Sequence, residues 1–212
     1  MPLARTESQI TTAGVANHAV EFFDRQFRAQ IDAREFVLNP FEQAVLPYLD
    51  ADVLDLGCGL GNLAIAAARK GCRVTALDGS QAAVEGLTSR ARKEELPIAA
   101  RKADLAGSDF AGDFDAVVAV GLLMFFPRPR SANMLVAMQK ATRPGGIAAV
   151  NVLTEGTTFM DMFAPDHFTL FGRDEVEHAF AGWDILLSRH DGFDAPRGTR
   201  KEFSTVVARK PR

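Results

Sequence analysis

Hydrophobic and polar residues follow two alternating rhythms along this chain. Helical spacing of apolar residues predicts a first helix over residues 8–30, and Asn39-Pro40 predicts the N-cap and first turn of a short second helix. Further along, the predicted strands cover residues 53–56, 73–77, 98–102, 114–120 and 147–153, and the predicted helices cover residues 62–70, 81–95, 131–142 (with Ser131 as N-cap) and 174–181. Strands that alternate with helices indicate right-handed crossovers and a parallel sheet covered on both faces.

The carboxyl-terminal part departs from this alternation. Residues 183–190 and 201–208 are two consecutive predicted strands, joined by a loop rich in Gly, Pro and Arg. Such strands form a hairpin, so at least one of them runs antiparallel to the rest of the sheet. The whole pattern predicts one α/β domain, with a helical cap over residues 1–50 and an α/β core over residues 51–212.

The amino-acid composition limits the classes of partner that we expect this chain to bind. The chain has 212 residues, a formal net charge of −3 and two cysteines, and it contains neither a CxxC nor an HExxH motif. It also lacks the layout of a signal peptide and an apolar run long enough to span a bilayer. We therefore expect a cytoplasmic monomer or homodimer that binds no nucleic acid, no membrane and no metal.

Three glycines mark the first ligand-binding feature. Gly57, Gly59 and Gly61 follow the first core strand, and ligands of open α/β sheets bind at the carboxyl ends of the strands. Nicotinamide-binding folds carry G-x-G-x-x-G there, whereas in this loop the third glycine comes one residue earlier. A pyrophosphate needs the longer loop, and S-adenosylmethionine (SAM) contains no phosphate. The spacing favours SAM over a dinucleotide.

Three acids lie before and after this loop, in an order that suits a nucleoside ligand. Asp78 ends the second strand, where a carboxylate accepts from both ribose hydroxyls. Asp104 ends the third strand and is placed to accept from an adenine amino group. Asp55 precedes the glycine loop and is placed either to orient it or to reach the amino-acid end of the ligand. Each acid alone fits a solvated loop equally well, and only the combination indicates a binding site.

The stretch Val53-Leu54-Asp55-Leu56-Gly57-Cys58-Gly59-Leu60-Gly61 resembles motif I of the class I SAM-dependent methyltransferases. The resemblance implies a Rossmann-like, seven-stranded, mostly parallel sheet of order 3-2-1-4-5-7-6 with the last strand antiparallel. It also implies SAM as cofactor and S-adenosylhomocysteine (SAH) as product. The implied cofactor-binding residues are Asp55, Gly57, Cys58, Gly59, Gly61, Asp78, Gly79, Ser80, Asp104, Leu105, Val120 and Gly121.

Four further stretches, residues 123–126, 137–140, 143–146 and 203–210, resemble the tellurite-resistance (TehB-type) methyltransferases. Members of that group transfer methyl to soft chalcogen nucleophiles. The resemblance implies a small-molecule acceptor, with a thiol or a chalcogen as one possibility.

The acceptor side carries apolar residues. After the fourth strand the chain lacks the Asn/Asp-Pro-Pro-aromatic motif of adenine and amide N-methyltransferases, which disfavours those substrates. Loop 155–172 lies where acceptor pockets form, although its aromatic residues equally fit packing onto the sheet. The first helix, with Phe22, Phe23 and Phe27, either closes the crevice or packs into the core. The expected acceptor-site residues are Met124, Phe163, His167, Phe168 and Arg197.

His190 is the candidate catalytic residue. We expect it at the end of the penultimate strand, where the TehB-type group has a histidine that lines the acceptor site. Asp191 follows it in place of a basic residue and would repel an oxyanion, and an ordinary surface histidine is the alternative interpretation.

Other functions stay open at this point. An O- or N-methyltransferase of a small metabolite would use His190 or His167 as general base. The alternatives outside methyl transfer are a nicotinamide-dependent oxidoreductase and a non-catalytic SAM-binding module.

Overall fold

The computed structural model describes residues 21–30, 36–107 and 110–212. Residues 21–30 are helical and are called α1, and the remainder of the predicted first helix, residues 8–20, lies outside the described residues. No helix in the described part of the chain is long and apolar enough to cross a membrane.

Seven strands and five further α-helices follow α1. The helices are α2 (Pro40–Val45), α3 (Asn62–Arg69), α4 (Gln81–Lys93), α5 (Arg128–Ala141) and α6 (Glu175–Ala179). The strands are β1 (Asp52–Leu56), β2 (Arg73–Asp78), β3 (Ile98–Lys102), β4 (Phe114–Val120), β5 (Thr142–Leu153), β6 (Asp184–Ala195) and β7 (Thr199–Arg209).

The strands form one sheet of order β3-β2-β1-β4-β5-β7-β6. The pairs β3–β2, β2–β1, β1–β4 and β4–β5 are parallel, while β7 pairs antiparallel with both β5 and β6. The predicted order and the antiparallel last strand are confirmed.

Each face of the sheet has its own core. One face packs against α5 and α6, with Met134, Met138 and Val176 fully buried. The opposite face packs against α2, α3 and α4, with Val45 and Leu87 fully buried. Because both faces are covered, the carboxyl ends of the strands and the loops that follow them are left to form a site.

The short helix α2 begins as the sequence indicates. The Asn39 side chain accepts hydrogen bonds from the backbone N–H groups of Phe41 and Glu42, both at 2.9 Å. The Glu42 carboxylate in turn accepts from the backbone N–H of Asn39 at 2.8 Å. This reciprocal capping satisfies donors that the first helical turn leaves free.

Three predicted elements have wrong bounds: β5 begins at Thr142 and not at residue 147, and α5 and the β6–β7 hairpin differ as follows. Helix α5 begins at Arg128, after Pro127, so Ser131 lies inside it; its hydroxyl donates to the Leu123 carbonyl at 2.8 Å instead of capping the helix. The β6–β7 hairpin is longer than predicted, because residues 191–195 continue to pair with residues 199–203. His190 therefore lies within β6 and not at its end.

Candidate functional site

The glycine loop folds back onto the end of the neighbouring strand. The backbone N–H groups of Gly57 and Cys58 donate to the carbonyl of Leu77 in β2, at 2.8 and 3.1 Å. Gly61 ends the loop in the left-handed region, with φ 70°, and caps α3. Only glycine adopts such a conformation at little cost, so the loop backbone stays free of side chains where it approaches a ligand.

Asp78 connects this loop to the start of α4. One carboxylate oxygen accepts from the backbone N–H of Gly59 and the other from that of Ser80, both at 2.8 Å. Burial raises the pKa of Asp78, against the lowering effect of these N–H groups. Gly79 lies between the two contacts, and the Ser80 side chain caps α4 by accepting from the Ala83 N–H at 3.0 Å.

Asp55 presents an unpaired oxygen beneath the loop. Its side chain is 3% exposed, and Oδ2 has no hydrogen-bond partner. Burial, and after it the charges of Glu42 and Asp78, raise the pKa of Asp55 to about 8. A buried carboxyl oxygen without a donor is costly, and a ligand that carries an N–H or ammonium group would satisfy it.

The other predicted cofactor residues lie on strand ends along the same edge. Asp104 follows β3, is exposed and accepts from the Ala106 N–H at 3.0 Å. Leu105 and Cys58 are buried, and burial raises the pKa of the Cys58 thiol well above its ordinary value. Val120 ends β4, and the N–H of the following Gly121 donates to the carbonyl of Asn151 at 2.9 Å.

Aromatic side chains form a cluster near the end of β4. The ring of Phe163 lies 4.9 Å from that of Phe168 and 5.2 Å from that of Phe125. Met124 is buried, and a Cβ added to Gly121 would lie 3.9 Å from its terminal methyl group. Three of the predicted acceptor residues, Met124, Phe163 and Phe168, are thus gathered near the end of β4.

Comparisons with known proteins agree with this arrangement. A family described as a methyltransferase domain matches residues 53–146, which contain the glycine loop, Asp78 and Asp104. The probable SAM-dependent methyltransferase TehB of Haemophilus influenzae is 26% identical over 74% of the chain and 57% of its own length. Its crystal structure superposes with a TM-score of 0.69 at 22% identity, covering 82% of this chain and 62% of that one. The chain therefore has the fold of the class I SAM-dependent methyltransferases, and its residues 53–146 match a methyltransferase domain.

Two other similar proteins have names that differ from that of TehB. Hemagglutinin 1 of Eikenella corrodens is 29% identical over 92% of the chain and 71% of its own length. The N-methyltransferase NodS of Bradyrhizobium japonicum, solved with SAH, superposes with a TM-score of 0.68 at 18% identity, covering 92% of this chain and all of that one. The chain spans little more than half the length of TehB, and the relatives differ in what their names say they do.

The residues of this chain fit SAM at the glycine loop. The buried Oδ2 of Asp55 has no hydrogen-bond partner among the described residues, and an N–H group of SAM would supply one. A Cβ on Gly57 would lie 2.8 Å from Leu122, and one on Gly59 would lie 3.0 Å from Phe27, so both positions depend on bare backbone. Asp78, at the end of β2, keeps lone pairs available for ribose hydroxyls.

The other three predicted residues have hydrogen-bond partners outside the aromatic cluster. His167 contacts the Pro165 carbonyl in its own loop, and Arg197 is paired with Asp161 at the surface. His190 Nε2 lies 2.8 Å from the Arg173 carbonyl, to which it donates. Its strand, β6, forms the sheet edge three positions from β4, which at the usual strand spacing is about 14 Å. None of these contacts joins the three residues to the glycine loop.

Sequence reasoning missed three residues that the structure places here. Phe125 joins the aromatic cluster, Glu42 approaches Asp55, and Asp24 of α1 accepts a hydrogen bond from the Ser80 hydroxyl. Phe125 stands in the apolar stretch after β4, which was a usable signal. Glu42 and Asp24 are ordinary helix acids in the sequence, and only their placement singles them out.

Proposed function

We propose that this methyltransferase binds SAM at the glycine loop and transfers its methyl group to a small molecule with a soft nucleophile, a thiol or another chalcogen. In this proposal residues 1–50 cap the crevice and residues 51–212 form the binding core. The observation that carries the proposal is the apolar cluster at the end of β4, which Met124, Phe125, Phe163 and Phe168 form.

Each part of the crevice has its own task. SAM supplies a methyl group already activated by a sulfonium. Asp78 binds the ribose and Asp55 the amino-acid end, while Asp104 and Leu105 border the adenine. The remaining backbone contacts come from residues 57–61, 79–80 and 120–121. In-line alignment of an activated methyl with its acceptor supplies most of the acceleration in such a reaction.

The apolar cluster suits a nucleophile that ionises without a protein base. A thiol or selenol is partly or fully ionised near neutral pH, so it attacks without a protein base. Apolar side chains beside the acceptor would exclude water from it and would contact its apolar body. A hydroxyl or amine acceptor would need a base, and the described contacts of His167 and His190 do not reach this cluster.

An acceptor panel tests the proposal. Purified full-length protein is incubated with methyl-labelled SAM and small thiols, selenite, tellurite, phenols and amines, and the methylated products are identified by mass spectrometry. We expect thiols or chalcogens to give the highest kcat/KM. A phenol or amine as the best acceptor, with a histidine-like ionisation in its pH–rate profile, would overturn the soft-nucleophile assignment. The Gly59→Val variant serves as the control for non-enzymatic methylation.

A further inference from the structure

Helix α1 lies against the cofactor half of the crevice through one face. Asp24 accepts a hydrogen bond from the hydroxyl of Ser80, the N-cap of α4. One turn later, the Phe27 ring reaches to 3.0 Å from the position of a Cβ on Gly59. Residues three and four apart share a helix face, so Phe23, Asp24 and Phe27 all point inwards.

The same face reaches the acceptor half. The ring of Phe23 stacks on that of Phe27 at 5.8 Å and meets that of Phe125 edge to face at 5.1 Å. A continuous run of rings therefore leads from the glycine loop through α1 to Phe163. Gln26, in contrast, lies on the exposed side of the helix.

The inner face of α1 carries groups that favour a cation. The charge of Asp24 acts on Asp78 and helps burial to raise the pKa of that carboxyl, so two acids lie close together at the ribose end. Asp24 also has a weak partner in Arg28, at 3.4 Å, whose side chain is 72% exposed. An aromatic ring beside two carboxylates attracts a positive ligand more than a neutral one.

We propose that α1 is part of the cofactor site and that Phe27 and Asp24 make it prefer the positively charged SAM over the neutral product SAH. This inference rests on the proposed function, since it requires SAM at the glycine loop. Its consequence is product release: once the methyl group and its charge have left, the attraction of α1 for the remaining thioether falls.

Calorimetric titration of the full-length protein tests this inference without turnover. The three ligands are SAM, SAH and a SAM analogue in which an amine replaces the sulfonium. The variants are Phe27→Leu, which keeps apolar volume, and Asp24→Asn, which keeps an acceptor for Ser80 but removes the charge. Gln26→Ala is the control on the exposed side of the same helix.

We expect Phe27→Leu to weaken binding of SAM and of the amine analogue by about 5- to 30-fold, and binding of SAH by less than about twofold. Asp24→Asn should weaken the two charged ligands by about two- to fivefold and leave SAH unchanged. Gln26→Ala should leave all three affinities unchanged.

Equal losses for charged and neutral ligands would overturn the inference, because a helix that merely covers the site does not distinguish charge. Unchanged affinities in both variants would overturn it as well. A folded wild type that binds neither SAM nor SAH overturns the proposed function itself. A wild type that binds SAM, with equal losses in the variants, overturns only the role of α1.

Discussion

The two halves of the crevice differ in the groups that form their surfaces. Over β1 and β2 the surface is backbone, positioned by N–H groups of Gly57 and Cys58 on the Leu77 carbonyl and by that of Gly59 on the Asp78 carboxylate. Over β4 and β5 it is side chain, with the rings of Phe125 and Phe163 packed 5.2 Å apart. Hydrogen bonds hold the surface over β1 and β2 in place, whereas apolar packing holds the surface over β4 and β5.

This difference indicates how each half tolerates change. Hydrogen-bond geometry at a glycine loop has few solutions, so a substitution there removes a ligand contact outright. Apolar packing admits many combinations of similar volume, so this cluster can be reshaped while the fold persists. In the proposed function the first half binds SAM and the second half selects the acceptor.

The largest effect is expected from Gly59→Val. The branched side chain would meet Phe27 and stand between the loop and its ligand, so SAM binding should fall by more than about 100-fold. Gly71→Val is the matched control, because Gly71 has φ 109° and open space around it. Calorimetry measures both, and thermal melting separates strain from lost binding. Normal SAM affinity in the Gly59 variant would show that the loop does not face the cofactor.

Asp78→Asn should weaken SAM binding by about 1–3 kcal/mol, since the ribose hydroxyls lose a charged acceptor. The amide still offers one oxygen to the loop N–H groups, so the fold should persist. Asp184→Asn, at the exposed start of β6, is the control. An affinity equal to that of wild type would remove Asp78 from the cofactor site.

Asp55→Asn should change how stability depends on pH. The carboxyl of Asp55 has an ordinary pKa of 3.8 and a pKa of about 8 in the folded protein. The folded state thus keeps a proton that the unfolded chain releases, and the free energy of unfolding should fall as pH rises from about 4 to 8. Asp55 should account for more than about 1 kcal/mol of that fall.

Denaturant unfolding of the SAM-free protein at pH 5 and pH 8 measures this effect. Glu42 and Asp78 also have raised pKa values, so the comparison of wild type with Asp55→Asn isolates the contribution of Asp55. The exposed Asp113→Asn is the control. Parallel changes in wild type and Asp55→Asn would mean that Asp55 ionises normally.

The smallest effect is expected from His190→Ala. Because His190 lies on the edge strand β6, three strands from β4, its removal should lower kcat/KM by no more than about threefold, against the 10²–10⁴-fold loss typical of a general base. The pH–rate profiles of wild type and variant on the best acceptor provide the measurement. A large loss, together with a histidine-like ionisation that disappears in the variant, would restore His190 as the catalytic residue.

Much of the fold was predictable because the signals are local. Strand β3 and strand β4 have the bounds that their apolar runs predict, and Asn39 caps α2 as its position before proline indicates. The start of α5 and the ends of the hairpin strands were not predictable. The Ser131 hydroxyl donates to a carbonyl instead of capping the helix, and β6 continues to pair with β7 through a polar segment. Both outcomes depend on hydrogen bonds to nearby backbone groups, which the apolar pattern does not specify.

By itself the sequence determined the strand–helix alternation, the glycine loop and the acids at the ends of β1, β2 and β3, because each depends on residues that are consecutive in the chain. The tertiary structure alone decided which side chains meet in the crevice. It brought Asp24 to Ser80, Glu42 towards Asp55 and Phe23 to Phe125, and it kept His190 at the sheet edge. The physical reason is that residue type limits what a side chain can do, whereas packing between elements determines what it touches.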